Sequence, residues 1–487
     1  MDHIKEEADA RHVDDVDITN MEKQPQQVQV APSDQVHIRI MFDRRVLPIV
    51  CTLYILSYLD RGNIGNAKTA GLEANLGLTD SQWSWVLNAF YICYVLFEWT
   101  TVLWKLFPAH LYVAVLCICW GAAAMCSGAV NNLAELIVCR CFLGVFEAAF
   151  GAGAPYFLSL FYQRQELGFR VSLLLGMSPV ANCFASALAY AITHIRHSIA
   201  SWRYLFIIEG APTVLFSGVV FFFLPDSPGT AKFLNETERT QAVERLQTFD
   251  RTAKNRLDRS QVFRGLTDYK NWVHTFIHFC CNFSFAGLSN FLPTILHDMG
   301  YTSINAQGLA APPYLVSFFL CIVAALISDR YGRRGLVIAA SATTGMIGYL
   351  ILALVQDESK TGVRYLGVWL ATCGIFPALS INITWLLNNQ GGDSKKGAGM
   401  AILAVFGQCS SFVSSTAFPK TEGPFYVRGC AIGCALTGCI AVLALGLYAK
   451  LVHENKRRDM VYGAVDENVR VDVTGKGDKD PQFRYLV

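Results

Sequence analysis

Asp60-Arg61 and Arg140-x6-Glu147 set four ionisable side chains inside apolar runs long enough to cross a lipid bilayer. A charge near the middle of a membrane helix costs about 2.5 to 3.5 kcal/mol on insertion scales, so four impose roughly 10 kcal/mol unless they pair. Residues held against such a penalty face an internal cavity and act there. A carboxylate can take up and release a proton. A guanidinium keeps its charge and grips a carboxylate through two parallel hydrogen bonds. The pattern points to proton exchange coupled to anion binding. The plainer reading is structural: a static Asp60–Arg140 pair locking two helices, Glu147 as a hydrogen-bonded packing residue, and Arg61 snorkelling to the outer interface.

The elements that must position these residues are membrane helices. The chain of 487 residues is 53% hydrophobic and 16% charged, whereas about a quarter of residues are charged in soluble domains. A crossing takes about 20 residues. Twelve apolar stretches of that order occur, at 44–65, 81–107, 110–130, 133–161, 169–195, 204–224, 271–296, 306–328, 335–356, 363–388, 397–418 and 427–451. This predicts an all-α integral membrane protein of 12 transmembrane helices in two six-helix halves. The halves are 44–224 and 271–452, joined by a polar linker at 225–270 rich in Arg, Lys, Asp and Glu. Two similar halves of this kind are a known transporter plan. The flanking tails, 1–43 and 453–487, are polar; the first is expected to be disordered and has no apolar core of a cleaved signal peptide.

Orientation follows the Lys and Arg residues near the spans. The short loops do not decide it. The linker does, through Lys232, Arg239, Arg245, Arg251, Lys254, Arg256, Arg259 and Arg264, with Arg44-Arg45 before the first span and Lys456-Arg457-Arg458 after the last. Both tails and the linker are therefore expected in the cytoplasm. At 1.5 Å per residue, Asp60 then lies roughly 24 Å along an inside-to-outside helix and Arg140 roughly 10 Å along a helix entering from outside. In a hydrocarbon core about 30 Å thick both sit in the outer half, within reach of an ion pair. Glu147 lies two helical turns beyond Arg140 on the same face, near the middle. Around it Gly144, Ala148, Ala149, Gly151, Gly153 and Ala154 supply the small side chains that close helix packing needs.

Ala325-x3-Asp329-Arg330-Tyr331-Gly332-Arg333-Arg334, between spans 8 and 9, resembles the cytoplasmic-loop signature of the major facilitator superfamily, with Ala325 in place of its first Gly. The matching joint between spans 2 and 3, Glu98 to His110, lacks the Asp-Arg pair. Arg140-x3-Gly144 resembles the fourth-span signature of the same family. Leu59-Asp60-Arg61-x-Asn63-Ile64-Gly65-Asn66, Phe97-Glu98, the run from Arg140 to Ala148, and Trp202-Arg203-x-Leu205 through Glu209-Gly210 are together similar to the anion:cation symporter branch, and within it to fungal allantoate and nicotinate permeases. Phe291 to Ile295 and Pro312-Pro313-Tyr314 fit the same group. The resemblance covers 44–452. It implies a plasma-membrane transporter, not an enzyme, that moves a small organic anion together with protons. Under it Asp60 and Glu147 are the proton-coupling carboxylates, Arg140 is the switchable partner of Asp60, and Arg61 meets the substrate carboxylate. Tyr94, Asn382, Thr384 and Trp385 would line the substrate site, and Asp329, Arg330, Gly332, Arg333 and Arg334 would form a cytoplasmic gate.

Other residues bear on the class. Trp385 beside an amide and a hydroxyl can stack a flat ring, or it can be an interfacial packing residue. Asn182, Asn282 and Gln408 are as well suited to joining helices as to binding, while Glu98 and Glu209 are further carboxylates within apolar runs. His274 and His278 have a spacing zinc accepts but no third ligand near them in sequence. The 16 cysteines lie in apolar runs and read as small hydrophobes. Basic residues form no aromatic-interleaved stripe, which speaks against nucleic acid. There is no Gly-x4-Gly-Lys-Ser/Thr loop, so an ion gradient is the expected energy source, with no cofactor and no metal. The resulting expectation is a monomeric, proton-coupled importer of a small carboxylate such as a pyridine or ureide acid. Its competitors are an exporter on the same fold, which Gly176-Met-Ser-Pro179 matches poorly, and a nutrient sensor, which calls for a longer structured tail.

Overall fold

In the computed structural model, residues 32–193, 200–247, 259–463, 477–481 and 483–487 are described. Positions 1–31 of the expected tail, 194–195 of the fifth span, and Arg251, Lys254 and Arg256 of the linker lie outside them.

Apolar runs become long helices because a backbone without water must satisfy its own hydrogen bonds. The first six are α1 (Leu47–Thr69), α2 (Asp80–Phe97), α3 (Ala109–Ser127), α4 (Leu133–Ser159), α5 (Arg164–Thr193) and α6 (Ser201–Phe223). The second six are α7 (Tyr269–Asp298), α8 (Ser303–Tyr331), α9 (Arg334–Leu354), α10 (Thr361–Asn388), α11 (Asp393–Gln408) and α12 (Val427–Tyr462). Polar residues start them where the sequence turns. Thr79 and Gln82 cap α2 reciprocally, and Asn132, Asp268 and Thr302 accept from the first turns of α4, α7 and α8. Among the described residues nine of these helices combine the length and hydropathy of a membrane crossing; the others, α1, α2 and α4, carry Asp60, Arg61, Tyr94, Arg140 and Glu147.

Within the first half α3 packs on α6 and α2 on α4; within the second, α9 packs on α10 and α12. The halves meet along α5 against α8, α1 against α7, and α2 against a short helix, Ser410–Thr416, that continues α11. Glycine sets the closest approaches. A Cβ on Gly348 would collide with the Ala371 backbone and one on Gly374 with Gly345, so Gly374→Leu is expected to lower stability by about 1 to 3 kcal/mol through overpacking. A thermal melt of the detergent-solubilised protein measures it.

The helix bounds differ from the apolar runs in four places. The second crossing leaves α-helix at Phe97 and continues as a 3-10 helix, Glu98–Lys105, with the Trp104 indole donating to Ala149 O at 2.8 Å. The eleventh breaks at Cys409. The twelfth runs on to Tyr462, held by Glu454 against Arg457 and Arg458 at 3.3 and 3.1 Å. A helix also forms over Pro32–Arg45, inside the polar leading segment, and buries Ile38 and Phe42, the latter against Phe161, Tyr162 and Phe233.

The linker contributes two helices, Glu236–Gln247 and Arg259–Thr267. They lie at the end of the bundle where α1 begins and α12 finishes, called here the linker face; the opposite end is the far face. Arg245 ties the linker to α5 through Glu166 at 2.6 Å and to Gln35 O at 2.8 Å.

Candidate functional site

Neighbours on α1 point about 100° apart, which sends Asp60 and Arg61 to different partners. Arg61 turns toward α2 and α4. Its guanidinium lies 4.8, 5.0 and 4.7 Å from the ring centres of Tyr58, Phe90 and Tyr94, and its Nη2 is 3.2 Å from Glu147 Oε1. Ser57 donates to the same carboxylate oxygen. Asp60 turns toward α6, where Thr213 donates to its Oδ2 at 2.8 Å.

The expected Asp60–Arg140 pair is therefore not formed. The acid that meets a guanidinium is Glu147, and its partner is Arg61. Arg140 is 2% exposed and makes one long bond, from Nη1 to Arg61 O at 3.4 Å; its Nε and Nη2 have no partner. Asp60 Oδ1, Glu147 Oε2, Arg61 Nε, both polar atoms of the Asn63 side chain and both oxygens of Glu209 are likewise buried and unpartnered. Buried polar atoms ordinarily find partners. These unpartnered atoms, on α1, α4 and α6, make a buried polar site. Tyr94 closes it against α4, its hydroxyl lying where a Cβ on Gly151 would stand.

The second half faces this site with α7 rather than α10. Phe285 meets the Tyr58 ring at 5.5 Å, Asn290 donates to the Tyr91 hydroxyl at 3.2 Å, and Asn182 donates to Ser289 Oγ at 3.1 Å. Gly65 permits this, since a Cβ there would lie 2.7 Å from Asn290 O. Asn382 and Trp385 are occupied elsewhere: Asn382 exchanges hydrogen bonds with His274 at 2.8 and 3.0 Å, and the Trp385 indole donates to Leu486 O at 2.7 Å. Thr384 instead bridges the halves, 3.1 Å from Ser172 Oγ on α5. Of the five residues expected at a gate, Gly332 ends α8 in the left-handed region (φ 64°) and Asp329 binds Arg334 at 2.8 Å. Arg330 and Arg333 are exposed, while a Cβ on Gly168 of α5 would lie 3.4 Å from Arg334 Nη2.

The far face is also bridged. Gln307 donates to Asn66 O and Thr69 Oγ1 at 3.3 and 3.1 Å, and Lys420 meets Glu73 at 2.9 Å. Beside these bonds, Lys68, Trp83, Phe291 and Phe418 line a cavity of about 210 Å³ between the halves. Lys420 is half exposed, so its bond to Glu73 contributes about 0.2 to 1 kcal/mol. The same carboxylate also meets Lys68 at 3.7 Å with both side chains 6% exposed, so Glu73→Gln strands a buried ammonium and is expected to lower stability by about 3 to 5 kcal/mol, read in a thermal melt.

Two six-helix halves facing each other across buried charged side chains have the architecture of a membrane transporter, and the comparisons agree. The Major Facilitator Superfamily profile matches residues 50–415, and the chain belongs to that family of membrane transporters, which are not enzymes. It is 32% identical over 454 residues to the major facilitator-type transporter hxnP of Emericella nidulans, covering 91% of each chain. It is 30% identical over 468 residues to the high-affinity nicotinic acid transporter of Saccharomyces cerevisiae, covering 94% of this chain and 86% of the other. Among solved structures, a proton:xylose symporter superposes with a TM-score of 0.67 at 15% identity, over 83% of this chain and 96% of its own, and supports the 12-helix fold.

Ser57 and Thr213 had no distinguishing signal in sequence, being small hydroxyls in apolar helices. Asn63 stood in the quoted motif, but nothing there separated it from its neighbours.

Proposed function

We propose that the chain is a proton-coupled importer of a small organic carboxylate, nicotinate-like or allantoate-like, working by alternating access in the plasma membrane as a monomer, with the linker face in the cytoplasm. The observation that carries this reading is the Arg61–Glu147 pair at 3.2 Å beside Arg140, whose Nε and Nη2 are buried without partners. Similarity to a nicotinic acid transporter supports the substrate class.

Protonation of Glu147 cancels its hold on Arg61. A substrate carboxylate then takes the place of Glu147 between Arg61 and Arg140, and its ring lies among Tyr58, Phe90 and Tyr94. Guanidinium forks suit this exchange because they bind one carboxylate or another with the same geometry. Release of the proton on the cytoplasmic side restores the pair and expels the anion. In this cycle Asp60, held by Thr213, is the second proton carrier, and Thr384 with the Asp329–Arg334 pair belongs to the cytoplasmic gate.

Stoichiometry decides the energetics. An elementary charge crossing roughly 100 mV exchanges about 2.3 kcal/mol with the field. One proton per monoanion cancels that work against a negative interior; two make the potential a driving force. The test is nicotinate uptake into proteoliposomes carrying the purified protein, with the outside acidified. Accumulation above equilibrium that a protonophore collapses supports the reading, and its absence over a panel of small carboxylates refutes it.

A further inference from the structure

Residues 477–481 and 483–487 fold back onto the linker face of the second half, in contact with five of its six helices. Asp478 is 7% exposed and accepts from Lys270 of α7 at 2.7 Å and Lys395 of α11 at 2.9 Å. The Tyr485 hydroxyl accepts from Lys270 at 2.8 Å and donates to Asp478 Oδ2 at 3.1 Å. Leu486 is held on both sides by Asn389 just past α10: its N–H donates to Oδ1 and its carbonyl accepts from Nδ2, each at 2.8 Å. The same carbonyl accepts from Trp385. On α12, Asn455 exchanges two bonds with the Tyr485 backbone at 2.8 and 3.0 Å, and Arg458 donates to Phe483 O at 2.9 Å. The Arg334 amide at the start of α9 donates to Val487 O.

The anchor points on α10 and α11 lie on the linker side of a break in each helix. Pro377 interrupts α10, removing a ladder bond and loosening the helix there. Cys409 breaks α11 from its continuation. Each break offers a hinge for the linker-face end of its helix, and α10 carries Thr384, which bridges to Ser172 of the first half. We propose that residues 477–481 and 483–487 are a latch that pins the linker-face ends of α7, α10 and α11 together and holds that mouth of the transporter shut, so that opening toward the linker side requires its release. The gating role rests on the transport reading given above; the docked latch does not.

Burial alone would raise the Asp478 carboxyl, but the Lys270 and Lys395 ammonium groups override it and hold it well below the usual carboxylate range. Asp268 joins the same cluster, 3.5 and 2.6 Å from the two lysines, with Tyr485 and Arg458 at its edge. A depressed acid contributes its stabilisation above its ordinary value, near 4, and loses it only as pH falls beneath that. The latch is therefore expected to stay closed through the neutral and mildly acid range.

Hydrogen exchange on the purified full chain tests the latch without substrate. The amides of Phe483, Tyr485 and Leu486 donate to Asp480 O, Asn455 Oδ1 and Asn389 Oδ1 at 3.0, 3.0 and 2.8 Å, so they are expected to exchange at least about tenfold more slowly than an unstructured peptide. Asp478→Asn removes the charge. Gly391→Ala leaves the charges alone and places a methyl where the Asp478 backbone runs. Each should return those amides to the unstructured rate and speed exchange across 385–396, while α1 to α6 keep wild-type rates. Free exchange of the wild-type amides, or unchanged protection in both variants, overturns the latch. For the gating role, nicotinate counterflow in proteoliposomes is expected to run at least about twofold faster in the unlatched variants, and equal rates overturn it. A wild-type protein that moves no nicotinate counts against the substrate assignment; the exchange rates still judge the latch.

Discussion

Glu147→Gln is expected to abolish concentrative uptake, bringing the accumulation ratio in proton-driven proteoliposomes down to one, while substrate exchange across the membrane continues. Glutamine keeps the size of the side chain and can still accept from Ser57, but it carries no proton to exchange and no charge for Arg61. The guanidinium is then permanently available to substrate, and the substrate-loaded states interconvert whether or not Asp60 carries its proton, so proton movement is no longer tied to substrate movement. Arg61→Ala separates this from a packing role. It leaves the Glu147 carboxylate, 0% exposed, without its cation, a change that costs about 3 to 5 kcal/mol in stability. Glu147→Gln in turn leaves the Arg61 guanidinium, 7% exposed, without its acid at a similar cost, so a melt should show a loss in both variants; only Glu147→Gln should keep substrate exchange, because it keeps the guanidinium that binds the anion. Glu147→Gln vesicles that still concentrate substrate against a gradient would show that the coupling site lies elsewhere.

The second large effect is on binding. Arg140→Ala is expected to weaken carboxylate affinity by about 2 to 5 kcal/mol, roughly thirtyfold to several-thousandfold, because a buried charge partner is truncated. Arg140→Lys should recover part of that loss and not all, since an ammonium returns the charge without the two-pronged geometry. Titration calorimetry with nicotinate measures both. If Arg140 only pins α4 to α1 through its bond to Arg61 O, affinity will be unchanged in both variants. Asp60→Asn discriminates further: Thr213, not Arg140, is the neighbour that holds Asp60 here, so this variant should leave affinity near wild type and alter only the protons carried.

Much of this site was legible before any coordinates. Ionisable residues in apolar helices announce themselves by their cost, and the spacing of Arg140 and Glu147 placed them on one face of α4. What could not be read was which acid meets which base. Asp60 and Arg61 are adjacent, so both lay equally close to Arg140 and Glu147 along the membrane normal, and the choice depended on how α1 is rotated about its own axis. That rotation is set by its neighbours: Gly62 and Gly65 admit α5 and α7 on one side, where added Cβ atoms would lie 3.0 Å from Asn182 Oδ1 and 2.7 Å from Asn290 O. With those glycines turned to α5 and α7, Arg61 meets α4 and Asp60 meets α6. Asn382 and Trp385 show the same limit. The family resemblance placed them at the substrate site, and in the structure their hydrogen bonds go to His274 and Leu486, neither of which is near them in sequence.

By itself the sequence determined the membrane class, the twelve crossings, the two-half plan and the set of charged residues that must be reckoned with, because hydropathy and charge penalties act locally and are written residue by residue. Only the tertiary structure decided the Arg61–Glu147 pairing, the orphaned guanidinium of Arg140, the α7 lining of the site and the docking of residues 477–481 and 483–487 on the linker face. Those depend on helix rotation and on contacts that join residues 79 or even 208 positions apart, which no local pattern encodes.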